Sequence, residues 1–186
     1  IGSRLVGSEM CIRDRLESVG TIRNLTILFC DIKGFTPFSE SLSAYDVIFI
    51  LNRYFSIMRE VIIRHGGEVN NYIGDAIMAI FGLKESRQQA LRAVSAGVEM
   101  LKEMDQFKSY LKKAYGRDFD MRIGIHYGEV ISGSVGSGDD RKVTVIGDTV
   151  NTASRIEAIN KEAGTRLLVS ETVYEQIKDK VSVQNY

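Results

Sequence analysis

The chain has little from which to build a charged field, a disulfide framework or a membrane span. Its 24 Lys and Arg are balanced by 24 Asp and Glu, so no bulk basic potential exists to attract polymeric nucleic acid or an anionic bilayer. Apolar runs such as VIFIL at residues 47–51 fall far short of the roughly 18 residues that a span requires. The two cysteines, Cys11 and Cys30, make no metal-ligand or disulfide spacing. They fit a reduced, cytoplasmic setting, with Cys30 packed as a small core residue. Two histidines far apart, His65 and His126, argue against zinc. His65 falls at an expected helix end, where an imidazole suits the dipole, and His126 alternates with Ile123 and Ile125 on an expected strand.

What is present is material for one core. At 186 residues, 44% hydrophobic and 26% charged, the composition suits a single soluble globular domain. Residues 1–16 are set apart from it. Their opening, IGSRLVGSEMCIRDR, has no start methionine, no signal-peptide apolar region and no amphipathic period. It reads as a non-native scar of a sequencing adapter or as the linker stub of an upstream signalling helix. Residues 17–186 read as one domain, truncated at its C-terminus, where DKVSVQNY opens a strand and stops.

Within that domain the hydrophobic period switches between strand and helix. Residues 25–30 read as a buried strand. Ser43, with Asp46 three residues on, resembles a capping box, and Val47, Leu51, Tyr54, Phe55, Met58, Val61 and Ile62 trace one helical face up to Gly66 and Gly67. EVNNY and AIMAIFG, joined by Ile73, Gly74 and Asp75, read as a hairpin with Asp75 at its tip. Leu91, Val94, Val98, Leu101 and Met104 mark a second long helix. MRIGIHYGEVISGSVG reads as two strands turning near Tyr127 and Gly128, KVTVIG as another, and residues 148–163 as a third helix. The order β-α-β-β-α-β, with additions, predicts an α+β fold of the ferredoxin-like kind, long helices covering one face of a mainly antiparallel sheet.

That topology gives meaning to FCDIKGFT, residues 29–36, where a greasy strand ends in a carboxylate. Alone, Asp31 and Asp75 each read more readily as turn residues than as ligands. In a ferredoxin-like sheet, however, the first strand and the hairpin are neighbours, so the two acids can converge and suit a hard cation such as Mg²⁺. Lys33, Gly34, Phe35 and Thr36 then lead past Asp31 into a helix start, where free backbone N–H groups favour phosphate.

The motifs FCDIKGFT, YIGDAIMAIFG, MRIGIHYGEV and VTVIGDTVNTASRIE occur in this order, and over about residues 22–178 the chain resembles the catalytic domain of the class III nucleotidyl cyclases. The resemblance implies conversion of a nucleoside triphosphate to its 3′,5′-cyclic monophosphate and pyrophosphate. It implies that Asp31 and Asp75, with the Ile32 carbonyl, hold two Mg²⁺ or Mn²⁺ ions. It assigns Asn151 to orienting the ribose and Arg155, one helical turn on, to stabilising charge on phosphorus. Without the surrounding motif that pair would read as a solvated helix face, with Arg155 free to pair with Glu157.

For the base, the resemblance points to Asn71, where adenylyl members usually carry Lys and guanylyl members Glu, and to Thr144, found in many bacterial adenylyl members. Asn71 offers both a donor and an acceptor. ATP is expected as substrate, on the strength of Thr144 and the missing Glu. Arg141 is a candidate for the β- and γ-phosphates, and the family's triphosphate-binding Lys is expected in a strand beyond residue 186. Two such domains pair about a two-fold axis in the family, so a homodimer with shared sites is implied, together with an upstream sensor or membrane domain. Guanylate cyclase activity, or a silent nucleotide-binding or dimerisation module, are the alternatives. A diguanylate cyclase is disfavoured because Gly66, Gly67 and Glu68 are followed by Val69 and Asn70, where that signature needs Glu and Phe.

Overall fold

The computed structural model describes residues 20–135 and 142–182. Residues 1–16 lie outside the described residues, as do the last four of DKVSVQNY; its first four, 179–182, form turn and irregular backbone rather than the expected strand. The first strand, β1 (Thr21–Lys33), is longer than its apolar run, because β4 (Asp120–Val135) pairs with it antiparallel from Thr21↔Ser132 to Lys33↔Asp120. A short helix α1 (Phe35–Ser39) follows, then α2 (Ala44–Arg64). Ser43 caps α2 by accepting from the Asp46 amide at 3.2 Å, an arrangement worth about 1 kcal/mol. The hairpin is β2 (Gly67–Ile73) and β3 (Ala76–Phe81), followed by α3 (Gln89–Tyr115). After β4 come β5 (Lys142–Ile146), α4 (Asp148–Ala163), β6 (Leu167–Val169) and α5 (Glu171–Ile177).

The sheet order is β2-β3-β1-β4-β5, with β6 parallel to the early part of β4. The other pairings are antiparallel, so β1 is central and the ferredoxin-like βαββαβ core stands, with β5, α4, β6 and α5 added. Strand alternation gives β1 two apolar faces. Leu28, Cys30 and Ile32 pack with Ile50, Met58 and Met104 of α2 and α3, whereas Leu25 and Ile27 pack with Ala153 of α4. The two long helices, α2 and α3, therefore share one face as expected, and α4 lies on the other side of the sheet.

One sequence expectation is corrected for a physical reason, close approach of elements at glycine. No turn occurs at Tyr127 and Gly128, because β4 runs through them in register with Thr26 and Leu25. A Cβ on Gly128 would stand 2.7 Å from Thr149 Oγ1, and one on Gly124 would stand 2.2 Å from the Glu157 amide nitrogen. These glycines admit α4 onto the strand. In α3 the buried stripe is Ala90, Ala93, Ala96, Gly97 and Met100, joined by Met104, while Val98 is 45% exposed. Small residues let α3 settle close to the sheet, where a Cβ on Gly97 would meet Leu167 Cδ1 at 2.7 Å.

Gly124→Ala is accordingly expected to be severely destabilising. Its methyl would meet α4 backbone, which cannot rotate away, and overpacking of this kind costs about 1–3 kcal/mol or more. Chemical denaturation should show the midpoint falling markedly. An unchanged midpoint would mean that α4 is not seated on β4 as described.

Candidate active site

Alternation along β1 sends Phe29 and Asp31 to the same side as Leu25 and Ile27, the side covered by α4. There Asp31 is half-buried in a cleft of about 450 Å³ lined also by Phe29, Met78, Asn151 and Glu157. The β1–β3 register ends at Cys30↔Ile77, which brings the hairpin tip alongside the strand end. Gly74 takes φ 63° in that tip, a conformation glycine adopts freely, and Asp75 follows it, half-buried. Burial pushes the Asp31 carboxyl above the ordinary carboxylate value and the Asp75 charge pushes it further, against the pull of an Ile32 backbone hydrogen bond and Arg122.

Two acids held in mutual repulsion suit a divalent cation. Among the described residues no group of three or more His, Cys, Asp or Glu could hold a metal ion. A cation here would therefore take two carboxylates and complete its shell from backbone carbonyl, water or phosphate, as Mg²⁺ commonly does. Ile32 lies past the end of the β3 ladder, next to Asp31. The donor chemistry fits.

Lys33 is the last residue of β1, and Gly34, at φ 83°, caps α1. That helix has only five residues, so it offers a few amides rather than the long dipole a helix start suggested. Thr36 is exposed and Phe35 is half-buried, its ring edge-on to Phe119 at 6.1 Å, which pins the loop to the core.

Asn151 and Arg155 are both exposed on α4, but only Asn151 lines the cleft. Glu157 is not Arg155's partner: it is buried and pairs with Arg122 of β4, Nε to Oε1, at 3.2 Å. Asn71 is exposed on β2 opposite Met78, just past a bulge, and Thr144 is half-buried on β5 opposite Gly133. Those strands are the two ends of the main sheet path. The structure thus sets Asp75 beside Asp31 and places Asp31 and Asn151 in one cleft, whose lining includes none of Asp75, Asn71, Thr144 and Arg155. Arg141 lies outside the described residues.

Sequence reasoning missed Arg122 and the buried role of Glu157. The signal was a charged residue in the apolar alternation MRIGI, directly across from Asp31. The bland readings held elsewhere. Cys30 is buried beside the Tyr54 hydroxyl at 3.6 Å, and burial pushes its thiol up to about 12. His126 Nδ1 is 2.9 Å from Ser170 Oγ, its pKa lowered by burial. His65 ends α2 and meets Glu99 at 2.6 Å.

The model of the adenylate and guanylate cyclase catalytic domain matches residues 18–185. The chain belongs to that family. It is 39% identical over 155 residues to an adenylate cyclase of Anabaena cylindrica, a match covering 81% of this chain and 30% of that protein. The chain thus spans under a third of that relative's length. Among solved structures, the guanylyl cyclase Cya2 superposes with a TM-score of 0.81 at 37% identity, covering 90% of this chain and 84% of that one. The adenylyl cyclase CyaB from P. aeruginosa gives 0.79 at 31%, covering 87% and 84%. No helix among the described residues is long and apolar enough to cross a membrane.

Proposed function

We propose that this cyclase domain converts ATP to 3′,5′-cyclic AMP and pyrophosphate as the output of a signalling protein, in the cytoplasm. The observation that carries the reading is the convergence of Asp31 and Asp75 at one end of the central strand. In the reaction the ribose 3′-oxygen bonds to the α-phosphorus, the bond from that phosphorus to the bridging oxygen breaks, pyrophosphate leaves, and the hydroxyl proton passes to solvent. Asp31, Asp75 and the Ile32 carbonyl would hold Mg²⁺ or Mn²⁺, which supplies Lewis acidity at the 3′-hydroxyl and charge neutralisation at the triphosphate.

The chain's own residues do the positioning. Asn151 orients the ribose, the amides of residues 33–36 cradle phosphate, and Arg141 is assigned to the β- and γ-phosphates. Arg155 stabilises the charge that develops on phosphorus, a role worth about 3 kcal/mol or more when the donor is preorganised. Asn71 and Thr144 read the base. In the proposed homodimer one subunit supplies Asp31 and Asp75 and its partner supplies Asn71, Thr144, Asn151 and Arg155; in keeping with this, Asn71, Thr144 and Arg155 do not line the cleft of their own chain.

The direct test supplies ATP and GTP separately with Mn²⁺ and measures cyclic product. Cyclic AMP should dominate. Product only from GTP would favour the guanylyl alternative, in keeping with the similarity to Cya2, and none from either would leave a binding or dimerisation module.

Asn71→Lys should raise the ratio of kcat/KM for ATP over GTP. A lysine only donates, which suits the acceptor N1 of adenine and opposes the protonated N1 of guanine. An unchanged ratio would remove Asn71 from the base site.

A further inference from the structure

We infer that Arg122 and Glu157 are positioning residues for the Asp31 carboxylate, with Glu157 tethering the Arg122 guanidinium so that it offsets Asp31's charge without taking the cation's place. The inference rests on the reading of Asp31 and Asp75 as cation ligands.

Arg122 faces Asp31 directly across β1 and β4, and its side chain is only 15% exposed. Two acids lie within its reach. Its Nε is 3.2 Å from Glu157 Oε1, whereas its Nη2 stands 3.9 Å from Asp31 Oδ2. The closer contact is one of charge rather than an aligned hydrogen bond, since neither Arg122 Nε nor Glu157 Oε1 has a hydrogen-bond partner.

A guanidinium beside a carboxylate ordinarily closes into a two-point fork. At Asp31 that fork would occupy both oxygens that a hard cation needs. What holds Arg122 back is the nearer acid, and that acid cannot follow it. Glu157 belongs to α4, whose backbone is seated against Gly124, two residues along the strand from Arg122, with no room for even a methyl group between them. The anchor is therefore rigid, while Asp31, near the strand end, keeps its oxygens available. Glu157 also lines the cleft, so direct ligation by Glu157 is the rival explanation that a test must separate.

The test is a double-mutant cycle read by Mn²⁺ binding, with free Mn²⁺ followed by electron paramagnetic resonance and no nucleotide present. Glu157→Gln should weaken Mn²⁺ binding by about tenfold or more, the usual scale for losing an outer partner of a metal ligand. Arg122→Gln should bind Mn²⁺ at least as tightly as the parent. The decisive variant is Arg122→Gln/Glu157→Gln, in which losing Glu157 should cost far less than it does alone, because no guanidinium remains to be restrained and only the direct charge of Glu157 on the site is lost. If Glu157→Gln still weakens binding by the same factor in the Arg122→Gln background, Glu157 acts directly on the cation and the tether is overturned. Unchanged affinity in Glu157→Gln alone would overturn it too.

Glu157→Gln leaves a buried guanidinium without its nearer partner and can fail to fold. The comparison of Arg122→Gln with the double variant, neither of which holds that charge, then decides alone: a loss well under about tenfold is expected, and a loss of about tenfold or more overturns the proposal. Asp31→Ala and Asp75→Ala belong in the same series. If both bind Mn²⁺ like the parent, it is the reading of the carboxylates that fails, a result distinct from failure of the tether.

Discussion

Asp31→Ala and Asp75→Ala should each lower cyclic nucleotide formation by more than about 100-fold, while the protein without divalent cation melts no lower than the parent. The loss follows from the proposed role, because an in-line displacement clamped by two ions needs both carboxylates, and removing a ligand exceeds the cost of removing an outer partner. The second half follows from the structure. Asp31 is half-buried and carries its charge against both desolvation and the neighbouring charge of Asp75, so the folded state gains little from it. Arg122 keeps Glu157 as its nearer partner when Asp31 is gone. Activity and stability should therefore separate: turnover collapses and the melting temperature holds or rises. Activity near the parent level in either variant would remove the cation assignment. A large fall in melting temperature for Asp31→Ala would instead make that carboxylate a structural residue, with Arg122 as its partner.

The features legible in the sequence were those whose physical cause is local. Asp31 and Asp75 stood out because a strand end and a hairpin tip are both written in short-range patterning, and the ferredoxin-like order supplies their adjacency. Ser43 was readable as a cap for the same reason, since its partner is three residues away. What stayed hidden depended on how α4 meets the sheet. Gly128 looks like a turn when only its neighbours are known, and becomes a seat for Thr149 once α4 is placed over it. The helix α3 was readable from its large apolar residues, of which Leu91, Val94, Leu101 and Met104 reach the core, but the alanines and Gly97 that seat it on the sheet carry little weight in a hydrophobic period. Arg122 and Glu157 are 35 positions apart and share no spacing rule. Their pairing exists only because Gly124 lets the two elements touch.

The largest recovery of function is expected from mixing two inactive proteins. Within one chain, Asp31 and Asn151 line the same cleft, while Arg155, one turn further along α4, does not. In the proposed two-fold dimer one subunit supplies the metal carboxylates and its partner Asn151 and Arg155, reciprocally. Asp75→Ala damages both sites of its own homodimer, and so does Arg155→Ala. In a mixed dimer one site carries both lesions, and the other has an intact carboxylate pair from one subunit and an intact arginine from its partner. Statistical exchange makes about half of the dimers mixed, each with one working site of two, so about a quarter of the parent's activity should return. The measurement is cyclic AMP formation after mixing under conditions in which subunit exchange is shown independently, by labelled copies, for instance. If exchange is complete and the mixture stays as inactive as its parts, Arg155 serves the cleft of its own chain or none. That result would remove Arg155 from a site shared between copies.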